Sequence, residues 1–154
     1  MKIIVDSREQ APFSFAGYPV EVAQGALATG DYSLAGFADR VAVERKSLGD
    51  LIGCLTHDRD RFTRELERLR GYASAALLIE APFSAIAQGR YRSRMDAGAA
   101  VQSLLSIMEH YRMPLLFADN REAGERYVYD VLRHFLRHAE QKYKALEMQT
   151  GGAR

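Results

Sequence analysis

The sequence lacks the features that would mark a disulfide-rich, zinc-binding or membrane protein. Its single cysteine, Cys54, excludes an internal disulfide and supplies no cysteine-based zinc cluster. No apolar run approaches the roughly 18 residues of a membrane span, and the strand-like start, KIIV, has no signal-peptide pattern. We therefore expect a cytoplasmic protein, nucleoid-associated if bacterial, that is neither secreted nor bound to a membrane.

A surplus of charge of one sign is also missing. The net charge of +1 is not what a nucleic-acid-binding protein usually shows. Acidic residues gathered in one site cancel basic residues elsewhere in the sum, so local distribution is more informative than the total. Basic residues are concentrated in two stretches, 59–70 and 90–94, which are candidate phosphate-contacting surfaces.

The residues that carry chemistry are concentrated between Gly30 and Asp50. Glu44 and Lys46 lie two positions apart in a strand-like run, so their side chains project from the same face. With Asp31 from a neighbouring extended segment, two carboxylates meet a lysine. Mg²⁺ suits such a set, because it takes one or two carboxylates and completes its shell with water and substrate phosphate oxygens. The pattern indicates phosphodiester hydrolysis, although Glu-x-Lys alone is more often a solvated ion pair.

The wider spacing supports the catalytic interpretation. Gly30-Asp31, then Glu44-Arg45-Lys46, then Asp50 give the pattern GD…ERKxxxD without a gap or substitution. This pattern resembles the XPF-type structure-specific endonucleases, a branch of the restriction-endonuclease-like nucleases whose minimal site is written PD-(D/E)XK. Residues 5–9, VDSRE, look like the opening VDxRE of that family, and residues 77–80, LLIE, look like its later hydrophobic strand. The resemblance covers at least residues 3–80 and extends more weakly over the rest.

The resemblance implies a metal-dependent DNA endonuclease that uses Mg²⁺ or Mn²⁺. Asp31 and Glu44 are the expected metal ligands, with Asp6 as a third ligand, direct or through water. Lys46 would stabilise charge on the attacked phosphate or position the attacking water. These four residues form the predicted catalytic set, although Asp6 alone would more simply be read as a turn residue.

Four further residues near the motifs have open roles. Arg8 and Glu9 are expected to support the site or to lie on its phosphate side. Arg45 faces away from the site by strand alternation, and either a structural role or a DNA contact would explain it. Asp50 completes an S-x-x-D capping box that starts at Ser47, so a helix cap and a site role are equally compatible with the sequence.

Four arginines are predicted to contact DNA. Arg59 and Arg61 are nearest in sequence to the predicted site, and Arg90 and Arg92 flank Tyr91, whose ring could stack on a base. A solvated loop explains the second pair equally well. Arginines of the first stretch that lie three or four residues from a glutamate are alternatively explained as surface ion pairs.

The predicted fold is α/β, a restriction-endonuclease-like core with a mixed central sheet flanked by helices. Residues 18–46 are expected to form a meander of three antiparallel strands, and the β-α-β-α-β alternation after residue 40 predicts parallel strands. We expect a helix from Arg121 to about Met148. Residues 1–148 would then form the nuclease domain, and residues 149–154 a frayed tail.

The expected substrate is branched, flap or fork DNA in repair or recombination. The alternatives are a non-catalytic DNA-binding subunit of a nuclease dimer, which the intact acids and lysine argue against, and a phage or mobile-element nuclease with another DNA preference. Wide apolar stripes predict a homodimer through the C-terminal helices. The helix-hairpin-helix module that often follows such domains is not expected in this stand-alone form, so a separate DNA-binding or helicase partner could replace it.

Overall fold

A six-stranded mixed sheet runs through residues 1–151, the part of the chain that the computed structural model describes. The strands are β1 (Lys2–Asp6), β2 (Glu21–Gly25), β3 (Tyr32–Leu34), β4 (Val41–Ser47), β5 (Ser74–Glu80) and β6 (Leu115–Phe117). They are ordered β2-β1-β3-β4-β5-β6 across the sheet. β4, β5 and β6 are parallel, and β3 is antiparallel to both of its neighbours.

Helices cover both faces of the sheet. They are α1 (Leu48–Leu55), α2 (Arg59–Arg70), α3 (Phe83–Ala87), α4 (Ala97–Tyr111) and α5 (Arg121–Gly151). Side-chain alternation along β4 builds two cores, because Ala42 packs with α1, α2 and α4 whereas Val41 and Val43 pack beneath α5. β4 is therefore buried on both faces, and its carboxyl end leads directly into α1.

One part of the expected meander is wrong. The strand predicted at residues 18–22 lies at Glu21–Gly25 and pairs with β1 in parallel, with Lys2 opposite Glu21. The loop that connects β1 to β2 returns to the start of the sheet, so β2 runs in the same direction as β1. Phe13 and Phe15 of this loop are buried against Tyr32 and hold it in place. β2 is an edge strand with no fully buried residue, so its sequence carries little of the apolar alternation that identifies pairing. The antiparallel β3–β4 pair and the parallel β4–β5–β6 order agree with the prediction.

The last helix changes character along its length. Val128 and Leu132 are fully buried, whereas residues 141–151 are exposed throughout. α5 continues to Gly151, so the first three residues of the expected frayed tail are helical, and residues 152–154 lie outside the described chain. Among residues 1–151, no helix combines the length and the apolar character needed to cross a bilayer.

Candidate active site

The turn before β3 places Asp31 against β4. Gly30 adopts a φ of 82°, and a Cβ at this position would lie 2.8 Å from the Cβ of Ala42. A residue with a side chain would therefore be strained in its backbone and would also push β4 away. The backbone N–H of Asp31 donates to the Val43 carbonyl at 2.9 Å, and its Oδ2 accepts from the Arg45 N–H at 2.7 Å. These bonds fix the carboxylate beside Glu44.

Glu44 and Lys46 meet on one face of β4, as the strand period requires. Lys46 Nζ lies 2.7 Å from Glu44 Oε1, and it also lies 3.1 Å from Oε2 of Glu65 on α2. Glu44 is 5% exposed. The ammonium group is thus held between two carboxylates in a partly buried setting, where charge-assisted hydrogen bonds are stronger than at the open surface.

The acids of this site are crowded and buried. Burial raises the pKa of Glu44, and the neighbouring charge of Asp31 adds to the effect. Burial also raises the pKa of Asp31, although the Arg45 N–H opposes it. Burial works to lower the pKa of Lys46, but Glu44 and Glu65 more than compensate and raise it. The site therefore holds more buried carboxyl groups than its one lysine keeps ionised.

Such a donor set fits a hard divalent cation. Among residues 1–151, no three His, Cys, Asp or Glu groups are close enough together to form a metal cluster. Asp31 and Glu44, which border both cavities, are the carboxylates that would hold the cation, with water and substrate oxygens supplying the other ligands, a pattern typical of Mg²⁺. A cation at this position would favour the ionised forms of both carboxyl groups and so oppose the effect of burial on their pKa values.

Asp6 has different partners from those of Asp31 and Glu44. Its carboxylate accepts hydrogen bonds from Arg8 Nε at 2.8 Å and Arg8 Nη2 at 2.9 Å, and from the Leu27 N–H at 2.9 Å. The Arg8 side chain is the main reason that the pKa of Asp6 is lowered to about 2. Asp6 borders a cavity beside Asp31 and Glu44, but Arg8 occupies both of its oxygens. Its role as a metal ligand stays a prediction.

Arg45 points to the opposite face of β4. Its guanidinium group bonds Glu9 at 3.0 Å and Glu80 at 2.7 Å and stacks over Phe13 at 5.4 Å from the ring centroid. A third bond reaches the Ala11 carbonyl. These contacts show a structural role for Arg45 and give Glu9 a role in holding the first loop. Both residues also border the larger cavity of the site, so a DNA contact by Arg45 stays a prediction.

Asp50 takes part in the N-terminal cap of α1. Ser47 Oγ accepts a hydrogen bond from the Asp50 N–H at 3.1 Å and donates one to Asp50 Oδ2 at 2.7 Å. Both side chains also border the larger cavity of the site. The capping role is therefore visible, and a direct role of Asp50 in chemistry stays a prediction.

Two cavities open on the carboxylates. The larger, about 670 Å³, is bordered by Lys46 and Arg61, and the smaller, about 160 Å³, by Glu65 and Arg68. Asp31, Glu44 and Arg8 border both cavities. Asp31 and Glu44 therefore border both cavities, whereas Lys46 borders only the larger one and Asp6 only the smaller one.

Comparisons with known proteins show the family of this chain. Residues 5–131 match the ERCC4 domain. The chain belongs to the ERCC4 domain family. It is 31% identical over 129 residues to the DNA repair endonuclease XPF of Mus musculus, covering 79% of this chain and 14% of that protein. It is also 30% identical over 122 residues to a Methanocaldococcus jannaschii protein named as a candidate ATP-dependent RNA helicase, with the same two shares. The ERCC4 domain thus spans only a small part of these relatives.

Solved structures show the same fold. XPF from Aeropyrum pernix matches with a TM-score of 0.71 at 23% identity, covering 86% of this chain and 60% of that chain. The same protein in a complex with DNA matches with a TM-score of 0.69 at 22% identity, covering 88% and 65%. The expected mixed sheet flanked by helices and the resemblance to XPF-type nuclease domains are confirmed.

The four predicted DNA-contacting arginines of this ERCC4 domain lie in three places. Arg61 borders the larger cavity of the site, whereas Arg59 borders a separate cavity between α1, α2 and α4. Within the described chain, neither Arg90 nor Arg92 borders the two site cavities. Tyr91 between them is half-buried, and its hydroxyl donates to the Met95 carbonyl.

One site residue of the ERCC4 domain was missed from the sequence, and another, Arg68, was included only as part of the basic stretch 59–70. Glu65 was interpreted as a surface ion-pair partner, but it contacts Lys46, and Arg68 borders the smaller cavity. The available signal was helical spacing, because residues 61, 65 and 68 are separated by four and then three positions and share one face of α2. The sequence did not show that this face is turned toward β4.

Proposed function

We propose that this ERCC4 domain is a DNA endonuclease that depends on Mg²⁺ or Mn²⁺ and hydrolyses phosphodiester bonds. The observation that carries the proposal is the joining of Asp31, Glu44 and Lys46 at one end of the larger cavity, with Lys46 Nζ 2.7 Å from Glu44. An excess of buried carboxylate beside one ammonium group is a suitable arrangement for metal-assisted attack on a phosphate.

Each residue has a chemical role in this proposal. Asp31 and Glu44 would hold the cation, which when bound supplies Lewis acidity to a phosphate oxygen and lowers the pKa of a water. Lys46 would donate to a non-bridging phosphate oxygen, where its charge opposes the negative charge that develops in the transition state. Glu65 keeps the ammonium group directed at the site from the α2 side.

Branched, flap or fork DNA in repair or recombination is the substrate that we propose. Support comes from the relatives, one of which is named a DNA repair endonuclease and one of which was solved in a complex with DNA. Arg61 at the larger cavity and Arg68 at the smaller one supply positive charge for phosphates.

A substrate panel tests the function. Purified protein is incubated with single-stranded, duplex, flap and fork DNA in Mg²⁺, in Mn²⁺ and in EDTA. We expect metal-dependent internal cuts, with a preference for flap or fork DNA, and a loss of at least about 100-fold in rate for Glu44→Gln and Asp31→Asn. Asp130→Asn, which changes a partly exposed carboxylate on α5 that pairs with Arg126 and Arg133, is the matched control and should cut normally.

The same panel contains the outcomes that would contradict the proposal. Cleavage at the wild-type rate by Glu44→Gln would remove the site from the chemistry. DNA binding without cleavage in either metal would identify a non-catalytic DNA-binding subunit instead.

We also infer a homodimer through α5. The apolar stripe that packs on the sheet at Val128 and Leu132 continues past the end of the sheet to Tyr143 and Leu146, which are 63% and 59% exposed. A groove of about 640 Å³ lies beside the first half of the same helix and is lined partly by Tyr127 and Phe135. Two antiparallel α5 helices would each cover the exposed half of the other in an isologous contact.

A further inference from the structure

We propose that α2 holds the cut DNA strand on both sides of the scissile phosphate, with Arg61 contacting a neighbouring phosphate on one side and Arg68 a neighbouring phosphate on the other. This inference rests on the proposed nuclease function and adds how the substrate strand is placed. Arg68 belongs to the basic stretch 59–70, but it was not among the four arginines predicted from the sequence to contact DNA.

The two cavities of the site share a wall. Asp31 and Glu44 form a common wall of the two cavities, so a strand whose scissile phosphate meets these carboxylates can extend into both. Arg61 borders only the larger cavity and Arg68 only the smaller one. Each cavity is therefore bordered by the shared carboxylates and by one of the two arginines.

Arg61 and Arg68 lie on one face of α2, with Glu65 between them. Arg61 and Arg68 are seven residues apart, which places their Cα atoms about 10 Å apart along the helix axis on the same face. Glu65 lies between them on that face and bonds Lys46 Nζ at 3.1 Å. Buried Phe62 and Leu66 fix the rotation of the helix, so the two arginines lie before and after the glutamate that contacts the catalytic lysine.

Both guanidinium groups are available for phosphate. Among residues 1–151, Arg68 has no carboxylate oxygen within 4.0 Å, and the one ion pair of Arg61 is a long contact of 3.5 Å to exposed Asp58. Such exposed pairs are weak and are readily exchanged for a phosphate oxygen. Thr29 on the wall of the smaller cavity also has a buried hydroxyl with no partner in the described chain, and a phosphate oxygen or a bridging water there would satisfy it.

The other arginines of α2 do not share this position. Arg59 borders the cavity between α1, α2 and α4, and Arg70 borders a cavity with Tyr111 and Arg112 away from the carboxylates. Arg70 has the same helix, charge and exposure as Arg68 and is therefore the matched control. Because a phosphate is held on each side, the site should favour bonds inside a strand over the bond of a terminal nucleotide.

The test replaces single phosphates with neutral methylphosphonates in a fork DNA whose cut site has been mapped with the wild-type protein. Three substrates carry the replacement immediately 5′ of the cut phosphate, immediately 3′ of it, or at a remote position. Cleavage is measured under single-turnover conditions for wild type, Arg61→Ala, Arg68→Ala and Arg70→Ala. All three arginines are exposed, and thermal unfolding checks that each variant is folded.

We expect the wild type and Arg70→Ala to be slowed about tenfold by either adjacent replacement and not by the remote one. Arg61→Ala should lose sensitivity to one flank and Arg68→Ala to the other. Independently of cleavage, each of these two variants should reduce the salt dependence of binding to unmodified fork DNA in EDTA by about one unit of slope relative to Arg70→Ala.

Two results would overturn the inference in different ways. If the wild type cuts the fork but Arg68→Ala keeps full sensitivity to both flanks, the assignment of Arg68 is wrong and the nuclease function stands. If the wild type cuts no DNA in Mg²⁺ or Mn²⁺, the proposed function fails, and the inference fails with it.

Discussion

Adjacent residues of β4 serve opposite faces of the sheet. Lys46 points to the acids of the candidate site, and Arg45 points to Glu9 and Glu80. Alternation of side chains along a strand makes this division possible with no change in the backbone. One strand therefore holds the reactive group and also connects the first loop to β5.

The Arg45 cluster should contribute strongly to stability. Arg45→Ala removes the cation paired with Glu9 and the nearer of the two cations at Glu80, carboxylates that are 8% and 16% exposed, and leaves Glu80 only the Arg121 contact at 3.9 Å. We expect a loss of about 3 kcal/mol in the free energy of unfolding, because a buried charge without its partner is costly. Urea denaturation measures it, with Arg126→Ala, an exposed pair with Asp130, as a control that should change little. A loss no larger than that of the control would contradict the structural role.

Metal binding should tighten as the pH rises. The pKa values of Asp31 and Glu44 are raised by burial, so a cation must displace protons from them at moderate pH. In the metal-free fold, the stability from these carboxyls is present below their ordinary pKa of about 4 and is lost as the pH rises through the raised values. The two effects have opposite signs because only the ionised forms bind metal.

Calorimetric titration with Mn²⁺ between pH 5.5 and 8.5 checks this expectation. The affinity should rise by up to about tenfold per pH unit for each proton released, and changing the buffer should show that protons are released. Glu44→Gln should bind Mn²⁺ weakly, with a smaller pH dependence. A dissociation constant that is independent of pH would show that the carboxyls are already ionised without metal.

At the level of single residues, the part of the site that could be predicted is the part that depends on short-range sequence spacing. Asp31, Glu44 and Lys46 follow from the strand period and the motif, because their relation depends on a few neighbouring positions. The positions of Glu65 and Arg68 depend on how α2 is rotated against β4. This rotation is set by the packing of Phe62, Leu66 and other core residues. Local spacing identified the helix face but not what it contacts.

Among the elements, caps and turns are well specified by sequence, and edge pairing is not. Ser47 and Asp96 start α1 and α4 with side-chain oxygens that accept from the Asp50 and Ala99 N–H groups. β2 could not be placed because an exposed edge strand has weak patterning, and its partner is selected by the buried rings of the preceding loop.

The two caps give a prediction that separates folding from function. Ser47→Ala and Asp96→Ala should each cost about 1 kcal/mol of stability. Only Ser47→Ala should also lower the cleavage rate at a temperature where both variants are fully folded, because Ser47 and Asp50 border the larger cavity. Stability comes from thermal or urea unfolding, and the rate from single-turnover cleavage. Equal cleavage by the two variants would assign the cap a structural role alone.

On the scale of the whole molecule, the sheet separates two cores, and α5 extends beyond one of them. The helix spans 31 residues, and its last part, residues 141–151, lies exposed. The sequence predicted an apolar stripe too wide for a surface helix, and the structure divides this stripe into a covered half and an uncovered half. Leu132 belongs to the covered half, since it is fully buried within the chain. Tyr143 and Leu146 in the later part of the helix keep their apolar surface exposed.

The homodimer can be tested at those later residues. Sedimentation equilibrium at micromolar concentration should give twice the chain mass of 17.3 kDa for the wild type. Tyr143→Glu with Leu146→Glu should give the single-chain mass without lowering the stability of the fold, because both side chains are exposed in one chain and charges in an apolar contact oppose pairing. Gln141→Glu, on the opposite side of the exposed half, adds a charge without touching the stripe and should remain dimeric. A wild-type protein with the single-chain mass would exclude the dimer, and a dimer that survives the double variant would place the contact on another surface.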